Sequence, residues 1–210
     1  MTRLNVNPTR QELRRLKGQL KTSVRGHKLL KDKSDEMIRQ FCVLIRENKR
    51  LREEVEADLA QALANFSSVK AVMDERELEE AFLMPSSSVT LTCGEKGIMS
   101  VAVPDIQMTY EKKDNIPYAY AAVSSEVDYS VSALSEVLPK LVRLAAVEKS
   151  CNLLAIEIEK NKRRVNALEY VMIPQYEETI RYIMMKLDEN ERGATTRLMK
   201  VKSMLAVEEK

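Results

Sequence analysis

The stretch from Met37 to Met73 constrains this chain more than any other. Its apolar residues fall at Met37, Phe41, Leu44, Leu51, Val55, Leu59, Ala62, Phe66, Val69 and Met73, with Asn48 in the one empty place of the series. Steps of three and four alternate, which is the period of a coiled-coil seam, and the double four-step Leu51, Val55, Leu59 reads as a stutter that relaxes the supercoil. The positions between are mostly Glu, Arg, Lys, Gln or Asp. So narrow an apolar stripe cannot bury itself, and another helix of the chain must cover it.

That helix lies in the second half. Val127, Val131, Leu134, Leu138, Leu141, Leu144, Val147, Cys151, Leu154, Ile158, Val165, Leu168, Met172, Ile180, Ile183, Leu187, Leu198, Val201 and Leu205 again step in threes and fours. Laying the stripes antiparallel with residue numbers summing to about 210 pairs Leu51 with Ile158, Leu44 with Val165, Val69 with Leu141 and Phe66 with Leu144, and sets Asn48 against Asn161. Pro139 and Pro174 each remove a ladder bond and should bend the second helix without ending it.

The first helix is capped by Asn7 or Thr9 around Pro8, and Leu13, Leu16, Leu20, Val24 and Leu30 carry its seam forward, weakened by Gly18, Gly26, His27 and Ser34. The pattern runs to Leu83 before Met84-Pro85 and three serines, roughly 110 Å of helix at the usual rise. Between the helices, Val89, Leu91 and Cys93 alternate with threonines, Gly94-Glu95-Lys96-Gly97 supplies turn chemistry, and Ile98 to Val103 is a second β-prone run before Pro104. Ile106 to Tyr110 could add a third extended piece. This segment reads either as a simple cap on the turnaround or as a docking surface with an exposed sheet edge. The expected fold is therefore dominated by α-structure, an antiparallel two-helix coiled coil with a β-hairpin at its turnaround. Residues 1–84 form one arm, 85–117 the hairpin segment and 118–210 the other arm.

Composition agrees with a rod. Aromatic residues are 5% of the chain, Trp is absent, 31% of residues are charged and glycines number five. Apolar runs such as Ala119 to Val123 are too short for a membrane span, and residues 1–10 are too polar for a signal peptide, so the expected location is cytoplasmic, free or peripheral to a membrane. Cys42, Cys93 and Cys151 lack metal-ligand spacing and read as reduced thiols. No glycine precedes the Lys-Ser or Lys-Thr of a phosphate-binding loop, and one histidine excludes His-Glu-x-x-His zinc chemistry. His27 reads as a seam-edge or surface residue. The expectation is a chain that is not an enzyme and holds no cofactor or metal.

The net charge of +2 is segregated. Residues 1–33 carry ten Lys or Arg against Glu12 and Asp32, residues 160–210 carry eleven against eight acids, and the stretch between is left at −9. Antiparallel pairing puts residues 1–33 beside roughly 177–209. Arg10, Arg14, Lys17, Lys21, Arg25, Lys28 and Lys31 then share one end of the rod with Arg181, Lys186, Arg192, Arg197, Lys200 and Lys202. Solubility alone would account for such a basic collar. A nucleic-acid-binding arm is a second reading of a basic-ended hairpin, and a coiled-coil scaffold a third.

Particular blocks narrow the choice. Asn7-Pro8-Thr9-Arg10, Leu13 to Leu20, Arg25-Gly26-His27-Lys28-Leu29-Leu30-Lys31-Asp32-Lys33-Ser34-Asp35, Arg163-Arg164-Val165-Asn166-Ala167-Leu168-Glu169, Ile173-Pro174, Leu187-Asp188-Glu189-Asn190-Glu191-Arg192 and Lys200-Val201-Lys202 together resemble the D subunit of the vacuolar and archaeal-type rotary ATPases. The resemblance spans the whole chain. It implies a rotor shaft, part of the central stalk, that carries no nucleotide and transmits torque between ATP hydrolysis or synthesis and the movement of H⁺ or Na⁺ through a membrane ring. It further implies that the paired termini enter a hexamer of catalytic A and non-catalytic B subunits, and that the lower part carries the F subunit of the stalk and seats on an adaptor above the ring. No nucleic acid and no direct membrane insertion are expected. On that basis the thirteen basic residues above become candidates for weak contacts with acidic loops lining the hexamer cavity.

Overall fold

The computed structural model describes residues 3–83, 88–111 and 125–208. Helix α1 spans Arg10–Val72 and a short α2 spans Glu75–Ala81; strands β1, Ser88–Ile98, and β2, Val101–Glu111, form an antiparallel hairpin. Helix α3 spans Ser125–Ala167, a wide π turn covers Leu168–Met172, and α4 runs from Ile173 to Glu208. The expected start of the second arm near Tyr118 and the stop at Met84-Pro85 lie outside the described residues.

Helix α1 begins where expected. The Thr9 hydroxyl accepts the Glu12 N–H at 3.2 Å, satisfying one of the donors a helix start leaves open. Its end differs from expectation: in place of one helix to Leu83, the chain breaks at Met73-Asp74. Asp74 is extended (φ −69°, ψ 146°) and its carboxylate accepts the Glu75 N–H at 2.9 Å, starting α2 with Glu75 and Glu77 at the favourable end of the helix dipole. A cap formed by the residue's own side chain outcompetes the continuing apolar period.

The chain divides into two compact units, one made of residues 1–36 and 159–210, the other of residues 37–158. In the first, buried Leu16, Ile180 and Ile183 form the core, with Leu13, Leu20, Tyr176 and Leu187 packed against it. In the second, Val69, Leu78 and Val127 are buried together with Phe66, Met73 and Val131 around them. Lys140 Nζ donates to Asp58 Oδ2 at 2.5 Å, a bond that raises the lysine's pKa above its ordinary value. Arg143 donates to Glu47 at 2.8 Å, and Arg52 lies 3.9 Å from Glu148.

These contacts correct the expected register. Val69 packs with Val127 and not Leu141, Phe66 lies in the cluster with Val131 and not opposite Leu144, and the partnered residue numbers sum to about 196, not 210. The difference is about two heptads, and a seam of constant period looks the same after any whole-heptad slip. Leu44 and Asn48 fall in one unit, Val165 and Asn161 in the other. The stutter is also unnecessary: Val55, Ala62 and Val69 are buried at steps of seven, with half-buried Asp58 and Asn65 between them. Polar seam members are invisible to a count of apolar residues.

Helix α3 continues through Pro139. At Pro174 the ladder instead widens upstream, with the Ile173 N–H donating to the Leu168 carbonyl five residues back. Pro174 has no N–H to offer residue 170 and its ring crowds that carbonyl, so a π turn accommodates it without a break in the chain's helical path.

In the hairpin, Ile98 pairs with Val101 and the turn is Met99-Ser100, both at positive φ (49° and 71°). Gly94 to Gly97, expected as the turn, lie within β1. A two-residue loop with both centres left-handed matches the strand twist, which outweighs the cost of non-glycine residues there. The third extended piece is the continuation of β2 through Pro104, which a two-stranded sheet tolerates because each strand is an edge.

Candidate partner-binding surface

All thirteen basic candidates belong to the first unit. On α1 the apolar seam Leu13, Leu16, Leu20 faces α4, which turns Arg10, Arg14, Lys17, Lys21, Lys28 and Lys31 outward at steps of three, four and seven, a single exposed stripe with Arg25 beside it. Arg181, Arg192, Arg197, Lys200 and Lys202 are also exposed, and Lys186 is half-buried. They do not form an even collar. Arg10 is ion-paired to Glu191, and Arg10, Arg14 and Lys17 line a shallow groove with Met184, Asp188 and Glu191, so part of the positive stripe meets acids of its own chain. Lys186 donates to Glu189 at 2.8 Å; that bond raises the lysine's pKa and lowers the carboxylate's.

The register within this unit moves the pairing. Arg10 meets Glu191, and Leu16 meets Ile180 and Ile183, so Arg197, Lys200 and Lys202 lie beyond the level where α1 begins. There every side chain from Ala194 to Leu205 is exposed, including Leu198 (69%), Val201 (52%) and Leu205 (57%). The apolar stripe continues in sequence but has no described helix against it.

Two blocks far apart in sequence meet here. His27 Nε2 lies 3.2 Å from Glu169 Oε2, joining the Gly26-His27-Lys28-Leu29-Leu30 block to the Val165-Asn166-Ala167-Leu168-Glu169 block at the start of the π turn. The histidine side chain is 20% exposed and stands at the seam edge. Periodicity alone does not indicate the role of residues 3–9. Leu4 and Val6 pack on the Leu16, Ile180, Ile183 core, the Leu4 N–H donates to Thr179 Oγ1 at 3.2 Å, and the Arg3 guanidinium lies 3.8 Å over the Tyr182 ring. The alternation of Leu4 and Val6 is the available signal, as an extended strap with one face inward.

Among the described residues, no cluster of three or more His, Cys, Asp or Glu is placed to hold a metal, and no helix is long and apolar enough to cross a membrane. The three thiols are free; Cys151 is buried, and burial, then Glu148 and Glu47, raise its pKa.

A family model described as the D subunit of ATP synthase matches residues 12–203. The chain is 54% identical over 209 residues to the V-type ATP synthase D subunit of Clostridium botulinum (strain Alaska E43 / Type E3), covering 98% of each. It is 55% identical to the protein of that name from Clostridioides difficile (strain 630), covering 100% of this chain and 97% of the relative. With that of Enterococcus faecalis (strain ATCC 700802 / V583) the figures are 53% identity, 97% and 98%.

Proposed function

This chain belongs to the family of ATP synthase D subunits, and we infer from that membership that it is the central-stalk rotor subunit of a V-type ATPase. It transmits torque between ATP hydrolysis or synthesis in the catalytic part of the complex and ion transport through the membrane part. The observation that carries this reading is identity above half over essentially the whole length of both chains, on two long helices with a hairpin between them.

The finer assignments are our proposal. The shaft is non-catalytic, peripheral to the membrane, and turns inside a hexamer of A and B subunits, with the F subunit and an adaptor along its lower part. What supports a shaft is the physics of the helix pair: seams buried at heptad spacing resist bending, while a charged exterior slides against neighbours without locking to one. The exposed basic stripe from Arg10 to Lys31 suits exchangeable contacts with acidic loops. Each solvated pair contributes only ~0–1 kcal/mol, so no single arginine is indispensable. Co-purification tests the reading. The tagged chain should bring down an ATP-hydrolysing hexamer, with association slowing as salt screens the stripe. Recovery of the chain alone, or with nucleic acid in place of the hexamer, would refute it.

A further inference from the structure

The hairpin's two edges are not equivalent. Ile98 and Val101 flank a two-residue turn and so exchange both backbone bonds. The alternation of an antiparallel ladder then turns the N–H and C=O groups of Val89, Leu91, Cys93, Glu95 and Gly97 away from β2. On β2 the same alternation points the backbone of Pro104, which stands opposite Glu95, outward, and a proline has no N–H to offer a further strand. β2 is also the covered strand: Val103 is buried, and Val101, Pro104, Ile106 and Met108 are half-buried. β1 is exposed from Ser88 to Gly97, and its edge from Val89 to Gly97 has neither proline nor bulge to blunt it.

We propose that two unassembled copies of this chain pair antiparallel along β1 about a two-fold axis at Cys93, giving a closed dimer with a four-stranded sheet ordered β2-β1-β1-β2. Cys93 is the midpoint of the strand, so this register pairs its whole length. Val89 then faces Gly97 of the second copy, Thr90 faces Lys96, Leu91 faces Glu95 and Thr92 faces Gly94. No like charges meet, and each glycine stands opposite a β-branched residue. Moving the axis two or three residues toward the turn would set Glu95 or Lys96 against itself, and moving it the other way leaves the turn end of each strand unpaired. The outward residues of the two strands exchange about ten backbone bonds. Across the centre runs a row of Ile106, Cys93, Cys93 and Ile106, because Ile106 is opposite Cys93 within each hairpin. The occupant is a second copy because β1 fits its own reverse. Growth stops at two, since both outer edges of the new sheet are β2 with its outward Pro104, and the contact closes instead of propagating into a fibre.

The purified full chain, kept reduced, should sediment as a concentration-dependent dimer. Cys93→Lys and Cys93→Glu each set like charges against each other at the axis and should each weaken dimerisation about tenfold, while an equimolar mixture of the two should recover it. Recovery in the mixture also shows that both variants are folded. Directly opposite Cα atoms about 5.5 Å apart lie within reach of a disulfide. Diamide, which takes up the two protons and two electrons that two thiols release, should therefore link the dimer through Cys93, in Cys42→Ser as in the unsubstituted chain. A monomer at every concentration, a dimer indifferent to charge at position 93, or a diamide-linked dimer joined through Cys42 would overturn the pairing.

Discussion

Thr179 holds down a segment that no periodicity assigns to the fold. It is fully buried, its hydroxyl donates to the Gln175 carbonyl at 2.6 Å, and the same oxygen accepts the Leu4 N–H. Thr179→Val keeps the volume and leaves Leu4 without its acceptor, so it should destabilise the protein by about 1–2 kcal/mol in urea unfolding, with faster amide exchange at Leu4 and restoration by Thr179→Ser. A stability within a few tenths of wild type would show that water serves the strap equally well. Half of this arrangement is readable in the sequence, since a threonine inside a helix often bonds the carbonyl four residues back, as Ser130 and Ser150 also do. The other half is not, because Leu4 is 175 positions away and nothing local encodes that distance. His27 and Glu169 are the same case at a seam edge: each is an ordinary surface residue until the partner helix is in place.

Elements are legible wherever period decides them, and obscured wherever one side chain decides them. The alternation of Val89, Leu91 and Cys93 identifies a strand, yet its turn is misplaced because Gly94 and Gly97 look like turn residues and Met99-Ser100 does not. A Cβ added at Gly94 would stand 3.6 Å from the Asp105 carbonyl oxygen, an ordinary contact, so close packing does not demand that glycine. The positive φ values belong instead to Met99 and Ser100, where L-residues carry strain. Replacing that pair by Asn-Gly should stabilise the hairpin by about 1 kcal/mol, seen as slower exchange of the β1 and β2 amides with the rest of the chain unchanged. Unaltered or faster exchange would mean the left-handed turn is held by something other than its own two residues. Asp74 and Pro174 act in the same way on helices, each overriding an intact apolar stripe through one carboxylate or one missing N–H.

At the scale of the whole molecule, the antiparallel pairing is legible and its register is not, because two identical periods can slide by heptads until a specific contact such as Lys140–Asp58 fixes them. Charge is easier to read: residues 1–36 and 159–210 hold 21 Lys or Arg against 13 Asp or Glu, residues 37–158 hold 13 against 19, so segregation along the sequence survives as opposite signs on the two units. The corrected register also means that α1 starts at the level of Glu191 and leaves the rest of α4 uncovered. A lone helical tail bearing Leu198, Val201 and Leu205 is only marginally stable in water. Proteases should therefore nick an unassembled copy first between Ala194 and Leu205, and that tail should become resistant if assembly into the complex covers it; a tail equally resistant in the free chain would contradict this. Such a subunit carries its own marker of orphanhood, so surplus copies can be cleared and the stoichiometry of the rotor kept by degradation, without any separate device to count them.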